Sequence, residues 1–283
     1  MSKFINTICV IGAGTMGNGI AQTAAQNGFQ TLLFDINTGV LEKAKASIQK
    51  SLDYLVNKEK ISAAEKETIF QRIKFITDTS QCVADIIIEA IVEKVDVKVS
   101  VFNQLAAINH SDVIFASNTS SLSISEIQSG VQNPQRVVGM HFFNPAQVMK
   151  LVEVVKGNQT DETVAQTVYD LCVQMKKTPV MCKDAPGFIV NRVARHYYLE
   201  AMKLVESGIA GFENVDVILE ASGFKMGPFK LMDLIGNDVN LAVSQSLYDA
   251  CDHAERFKPS PLQIEKVAKG ELGKKTKKGF YSY

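Results

Sequence analysis

Short, uninterrupted apolar runs punctuate the first two thirds of the chain, whereas the last third carries its apolar residues only at helical spacing. The first run, residues 7–11 (TICVI), is β-branched and has the length of a strand buried on both faces. A glycine-rich turn follows. An Ala-rich helical pattern then spans residues 18–27, Gly28 suits a helix stop, and a second strand over 30–34 (QTLLF) ends at Asp35, which completes one βαβ unit. Residues 39–71 show helical periodicity with alternating charge, long enough for two helices broken near Lys60-Ile61-Ser62, and this excursion is expected to project from the sheet. Further strands are predicted at 85–89, 113–116, 136–142, 151–155 and 178–182, with helical stretches between most of them. The alternation predicts an α/β fold with a doubly wound, mostly parallel sheet. After Asp184-Ala185-Pro186-Gly187 the strand signal stops, and residues 189 to about 269 read as helix with turns at Gly208, Gly223 and Gly227-Pro228. The expected division is a Rossmann-type domain over 1–186 and an all-α C-terminal domain over 187–283, packed closely without a flexible linker.

Composition narrows the partners. With 46% hydrophobic and 21% charged residues, a chain of 283 residues can bury a core large enough to outweigh its entropy. Thirty basic and thirty acidic residues cancel, which removes the long-range attraction that nucleic acids and anionic membranes require. An anionic ligand must therefore be met by local charge. The opening Met1-Ser2-Lys3-Phe4-Ile5-Asn6 runs directly into a strand without the regions of a signal peptide, and no apolar stretch approaches the roughly 18 residues of a membrane span, so a cytoplasmic location is expected. Cys9, Cys82, Cys172, Cys182 and Cys251 are scattered without C-x-x-C spacing, and neither disulfides nor a metal site is expected.

Gly12-Ala13-Gly14-Thr15-Met16-Gly17 fits the G-x-G-x-x-G pattern, with glycines where the backbone must turn tightly, approach a pyrophosphate and pack on the strand. The pattern is weak alone. Here it follows a strand, opens a helix whose first amides can hold phosphate, and is succeeded by an acid at the end of the next strand. Asp35 can accept hydrogen bonds from both ribose hydroxyls and would repel a 2′-phosphate, and its neighbours Ile36 and Asn37 supply no arginine. NAD is expected in preference to NADP.

Two segments carry candidate chemistry. The run Ser117-Asn118-Thr119-Ser120-Ser121 follows a predicted strand at the sheet's carboxyl edge, where hydroxyls and an amide can face a ligand or simply cap a helix. His141 ends a predicted strand, and Glu153 lies on the next. A carboxylate bonded to one imidazole nitrogen fixes the tautomer and stabilises the imidazolium formed when the other nitrogen takes a proton, which makes His141 a plausible alcohol base or, equally, a satisfied buried side chain. His110, His196 and His253 show no metal-ligand spacing.

Taken together, Ile11-Gly12-Ala13-Gly14-Thr15-Met16-Gly17, Glu89-Ala90-Ile91-Val92-Glu93, Ser117 to Leu122, Met140-His141-Phe142-Phe143-Asn144-Pro145, Ala185-Pro186-Gly187-Phe188 with Asn191-Arg192, and Lys278-Gly279-Phe280-Tyr281 resemble the 3-hydroxyacyl-CoA dehydrogenase family, in family order over nearly the whole chain. The resemblance implies hydride transfer between NAD(H) and C3 of a 3-hydroxyacyl-CoA. His141 would be the acid-base group, Glu153 its orienting partner, and Ser120 and Asn191 hydrogen-bond donors to the substrate's reacting oxygens. It places cofactor contacts on the glycine turn, Asp35, Glu93, Lys98, Ser120, Asn144 and Lys275, and coenzyme A contacts on Ser51, Lys58 and Ser120. It also implies an active site in the cleft between the domains, and a homodimer formed through helical stretches such as 189–207 and 239–251. A short chain without a hydratase or thiolase segment suggests 3-hydroxybutyryl-CoA and acetoacetyl-CoA as the substrate pair, in fatty-acid or butanoate metabolism.

The chain departs from the family in Asn191-Arg192-Val193-Ala194-Arg195-His196-Tyr197-Tyr198, which is more polar and aromatic than the usual aliphatic run, and at Lys277, where glycine is common. Two competing functions are a β-hydroxyacid dehydrogenase acting on a free acid, which typically uses a catalytic lysine, and a non-catalytic NAD-binding protein. The motif around His141 argues against the first, and the joint presence of His141, Glu153, Ser120 and Asn191 against the second.

Overall fold

A computed structural model describes residues 4–283, so Met1, Ser2 and Lys3, the first part of the N-terminal stretch considered above, lie outside the described residues. The chain forms two compact units, one ending at Asp184 and the other spanning Ala185–Tyr283.

The first unit is built on β1 (Thr7–Ile11), β2 (Gln30–Phe34), β3 (Ile73–Ile76), β4 (Ile86–Glu89), β5 (Ile114–Ser117), β6 (Val137–Phe142), β7 (Leu151–Lys156) and β8 (Thr178–Lys183). Among the described residues these make one sheet in the order β3-β2-β1-β4-β5-β6-β7-β8. Every neighbouring pair is parallel except β6–β7. Ile86, Ile87 and Ile88 are all fully buried although successive side chains point to opposite faces, so both faces of β4 are covered. From β1 the chain steps outward to β2 and β3, then returns to place β4 beside β1. The carboxyl ends of β1 and β4 therefore flank a switch point, where open α/β sheets bind ligands.

Three details differ from the pattern in the sequence. β3 (IKFI) has only Ile73 and Ile76 buried, with Lys74 exposed, and it follows the charged helical stretch without a break, which disguised it. α1 (Thr15–Gln26) begins inside the glycine motif rather than at Asn18. The excursion consists of α2 (Thr38–Asn57) and α3 (Ala63–Gln71), broken where predicted, but it does not project freely. Leu41, Ala44, Ile48 and Leu52, spaced along one face of α2, enter the same core as β1 and α1. Its ends are fixed locally: Asn37 accepts hydrogen bonds from the amides of Gly39 and Val40, and Ser62 and Glu65 form a capping box. Helices α4 (Val95–Ala106), α5 (Ile124–Ser129) and α6 (Glu162–Gln174) complete the unit.

The second unit contains α7 (Val190–Glu206), α8 (Phe212–Ala221), α9 (Pro228–Ile235), α10 (Asn237–Ala250) and α11 (Pro261–Ala268) around its own core of Leu199, Met202, Phe229, Met232 and Phe280. The buried Asp233 carboxylate accepts hydrogen bonds from the amides of Phe280 and Tyr281, which docks the C-terminal Gly279-Phe280-Tyr281 segment. Part of the polar run on α7 is bonded inside this unit. Arg195, 3% exposed, donates to the Asn240 carbonyl and side chain and to Ser244 Oγ on α10, and Tyr197 donates to the Met226 carbonyl. Among the described residues no helix is long and apolar enough to cross a membrane, the five cysteines are free, and no cluster of metal-binding side chains occurs.

Candidate active site

His141 and Glu153 face each other in the antiparallel β6–β7 register, the only antiparallel pair among the sheet's described strands. Opposed positions of such a pair bring side chains on one face within reach. His141 Nδ1 lies 2.8 Å from Glu153 Oε2, and both residues are buried. An ionised carboxylate can only accept, so the proton between the two groups is carried on Nδ1, an assignment made from the hydrogen-bond network. The Phe143 ring lies 4.5 Å from the imidazole, centroid to centroid. Because β6 runs parallel to β5, β4 and β1, His141 emerges at the same sheet edge as the glycine turn.

One pleat before His141, a single rung joins Gly139, Ser117, Glu89 and Ile11 across four strands. The Glu89 carboxylate on this rung is fully buried and accepts from Lys98 Nζ (2.6 Å), Ser117 Oγ (2.8 Å) and the Ile91 amide (2.7 Å). Lys98 also reaches Glu93 at 3.1 Å. Glu93 in turn accepts from Thr119 Oγ1 (2.5 Å), the Ser120 amide (3.0 Å) and Ser121 Oγ (3.1 Å). Burial pushes the Glu93 carboxyl up, but the Lys98 charge and these hydrogen bonds outweigh it and hold the group below its ordinary range. Asn118 Oδ1 accepts from the Phe142 amide at 2.9 Å. The Ser117–Ser121 loop is thus pinned on one side to the residue after His141 and on the other to Glu93.

The glycine turn has the form a pyrophosphate needs. Gly12 adopts φ 95°, and a Cβ there would come within 2.7 Å of the Ala90 carbonyl, while one on Gly17 would collide with the Gly12 carbonyl. Gly14 has nothing within 4 Å of where its Cβ would sit. No side chain caps α1, so its first amides face that opening. Asp35 Oδ2 accepts from the Ala13 amide at 2.9 Å, which places the carboxylate directly against the turn. A pocket of about 340 Å³ here is lined by Gly14, Thr15, Asn18, Lys43, Ser47 and Asn144, among others. An opening of uncapped amides beside one carboxylate fits a dinucleotide whose phosphates meet the turn and whose ribose meets Asp35.

The structure therefore brings together His141 with Glu153, Glu93 and Lys98 with Ser120, and the glycine turn with Asp35 and Asn144. Ser51 Oγ accepts from Gln22 Nε2 of α1, and Lys58, at the C-cap just after α2, has its ammonium 5.9 Å from the Tyr54 ring. Asn191, on the first turn of α7, and Lys275, paired with Asp238 at 2.5 Å, belong to the second unit. Sequence reasoning missed the part played by Glu89, Ser117 and Thr119. The available signal was a carboxylate closing an all-isoleucine strand, which must be paired if buried, with a lysine nine residues later on the following helix.

A family model described as the 3-hydroxyacyl-CoA dehydrogenase NAD-binding domain matches residues 7–185, and one described as the C-terminal domain of the same family matches 187–283. The chain is 45% identical over 281 residues to the 3-hydroxyadipyl-CoA dehydrogenase of Escherichia coli K12, covering 99% of this chain but only 59% of that longer protein. It is 40% identical over 278 residues to the 3-hydroxybutyryl-CoA dehydrogenase of Clostridioides difficile, covering 98% of this chain and 99% of the relative. The crystal structure of an (S)-3-hydroxybutyryl-CoA dehydrogenase from Ralstonia eutropha superposes with a TM-score of 0.95 at 40% identity, covering 99% of both chains.

Proposed function

The chain belongs to the 3-hydroxyacyl-CoA dehydrogenase family of NAD-dependent oxidoreductases, and we propose that it interconverts 3-hydroxybutyryl-CoA and acetoacetyl-CoA with His141 as acid and base. The observation that carries this reading is the buried Nδ1 to Glu153 contact at the sheet edge that also bears the glycine turn. Relatives named 3-hydroxybutyryl-CoA dehydrogenase, matched over almost their whole length, support the short acyl chain.

In the oxidising direction His141 Nε2 accepts the proton of the substrate's C3 hydroxyl, and in the reducing direction it returns one to the carbonyl oxygen. Glu153 accepts from Nδ1 throughout, which fixes the ring and stabilises the imidazolium without taking the proton itself. When bound, the nicotinamide supplies or takes the hydride. Ser120, on the pinned loop, and Asn191, on α7, are proposed to hydrogen-bond the substrate's oxygens and so orient C3. Glu93 and Lys98 shape the loop that carries Ser120, and Asp35 selects NAD by accepting from the ribose. Asn144 is proposed as a cofactor contact within the glycine-turn pocket, and Lys275 as another from the second unit. Ser51 and Lys58 are assigned to the coenzyme A moiety.

We further infer that residues 1–186 serve as the NAD-binding domain and 187–283 as the substrate and dimerisation domain of a cytoplasmic homodimer. Exposed apolar residues on the second unit, including Val193, Ile209, Val217, Ile218 and Phe224, support self-association. NADH oxidation should be rapid with acetoacetyl-CoA and negligible with free acetoacetate. Turnover of the free acid at a similar rate would replace this reading with a β-hydroxyacid dehydrogenase.

A further inference from the structure

A cleft of about 570 Å³ opens on the first unit, walled by the end of α1, by α3, by the loop between β6 and β7 and by the turn between α6 and β8. Lys60, Arg72, Lys150, Lys176 and Lys177 line it, against a single carboxylate, Glu65. That carboxylate is already engaged at the start of α3, where it accepts from the Ser62 amide at 2.7 Å. None of the five cations is ion-paired with a carboxylate among the described residues. In a chain whose formal charges sum to zero, this is a pronounced local excess.

Two of the charges are fixed in the wall by carbonyl groups. Arg72 Nη1 donates to the Ala25 carbonyl at 3.2 Å, and Lys177 Nζ donates to the Ala146 and Met149 carbonyls at 2.5 and 2.9 Å. Lys176 is held at φ 56°, the left-handed conformation where glycine is the usual choice after a helix. The negative end of the α6 dipole accounts for Lys176 and Lys177. It does not account for Lys60, Arg72 and Lys150, which come from other elements and converge on the same space. Gln147 lines both this cleft and the glycine-turn pocket, so the two are neighbours.

We propose that this cleft binds the phosphate groups of an anionic ligand. Several ammonium groups and a guanidinium, unopposed by free carboxylate, are the donor set such groups require. The phosphates have two possible sources: the nucleotide end of the CoA thioester, an assignment that rests on the function proposed above, or a separate phosphorylated small molecule.

Calorimetric titration with pyrophosphate at low ionic strength, with saturating NADH to fill the glycine turn, tests the site directly. The subject is the full chain and its K60Q/K150Q/K176Q variant, in which three exposed lysines outside the proposed catalytic machinery are neutralised. Pyrophosphate should bind the wild type, bind the variant at least about tenfold more weakly, and regain affinity in the K60R/K150R/K176R variant. Steady-state kinetics then separate the sources. A raised KM for acetoacetyl-CoA with unchanged kcat, and no change for acetoacetyl-pantetheine, assigns the phosphates to the substrate. Unchanged KM for both thioesters alongside weakened pyrophosphate binding assigns them to a separate ligand. Absent pyrophosphate binding, or equal affinity in wild type and the glutamine variant, overturns the proposal. Failure to turn over either thioester would instead remove the dehydrogenase reading and leave the calorimetric result standing.

Discussion

Lys98 and Glu89 form an ion pair at 2.6 Å in which the two side chains are 1% and 0% exposed. Glu89 is further satisfied by Ser117 and the Ile91 amide, so its charge is fully partnered only while Lys98 is present. Removing one member of a buried pair leaves an uncompensated charge, and Lys98→Met should destabilise the protein by about 3–5 kcal/mol. Denaturant unfolding of the single variant and of the Glu89→Gln/Lys98→Met double variant checks this. The double variant should recover a substantial part of the loss, and a fully additive result would show that the pair is not coupled.

Asp35 accepts from the Ala13 amide through Oδ2 and from the Asn37 amide through Oδ1, and we assign the remaining lone pairs of the carboxylate to the cofactor ribose. Asp35→Ser removes both the acceptor and the charge that repels a 2′-phosphate. The KM for NADH should rise by about tenfold or more, the scale of losing a charge-assisted hydrogen bond, and the preference for NADH over NADPH should narrow by a comparable factor. Parallel titrations with the two reduced cofactors measure both effects.

Glu93 gives the site a pH dependence with a definite sign. Its carboxyl is held below the ordinary value of 4.5, the Lys98 charge and the hydrogen bonds of the Ser120 loop outweighing the effect of burial. A depressed carboxyl contributes stability that is fully present above 4.5 and is lost as pH falls through the lowered value. The contribution is modest, because Glu93 is 37% exposed and partly screened. Urea unfolding across the acid range should show a shallower loss of stability for Glu93→Gln than for the wild type, with the curves differing most near neutral pH.

The strands of the first unit were legible because β1, β4, β5 and β6 are buried on both faces and therefore appear as continuous apolar runs. β3 was not, because an edge strand with Lys74 exposed carries the signature of neither a buried strand nor a helix. The glycine turn and Asp35 were legible because their spacing follows from backbone geometry. The resemblance named Glu153 as the partner of His141, but what sets the two side chains opposite one another is a reversal of strand direction between β6 and β7, which the residues alone do not record. The link from Glu89 to Ser117 and Lys98 was harder to read for a similar reason. It runs across neighbouring strands and a helix, and its local trace is a carboxylate closing an isoleucine strand nine residues before a helical lysine.

We propose that His141 moves the proton while the glycine turn and Asp35 hold the cofactor. His141→Gln tests it most directly, with turnover of acetoacetyl-CoA and NADH affinity measured on the same preparation. kcat should fall by about two orders of magnitude or more, with NADH affinity essentially unchanged. Near wild-type turnover in this variant would contradict it.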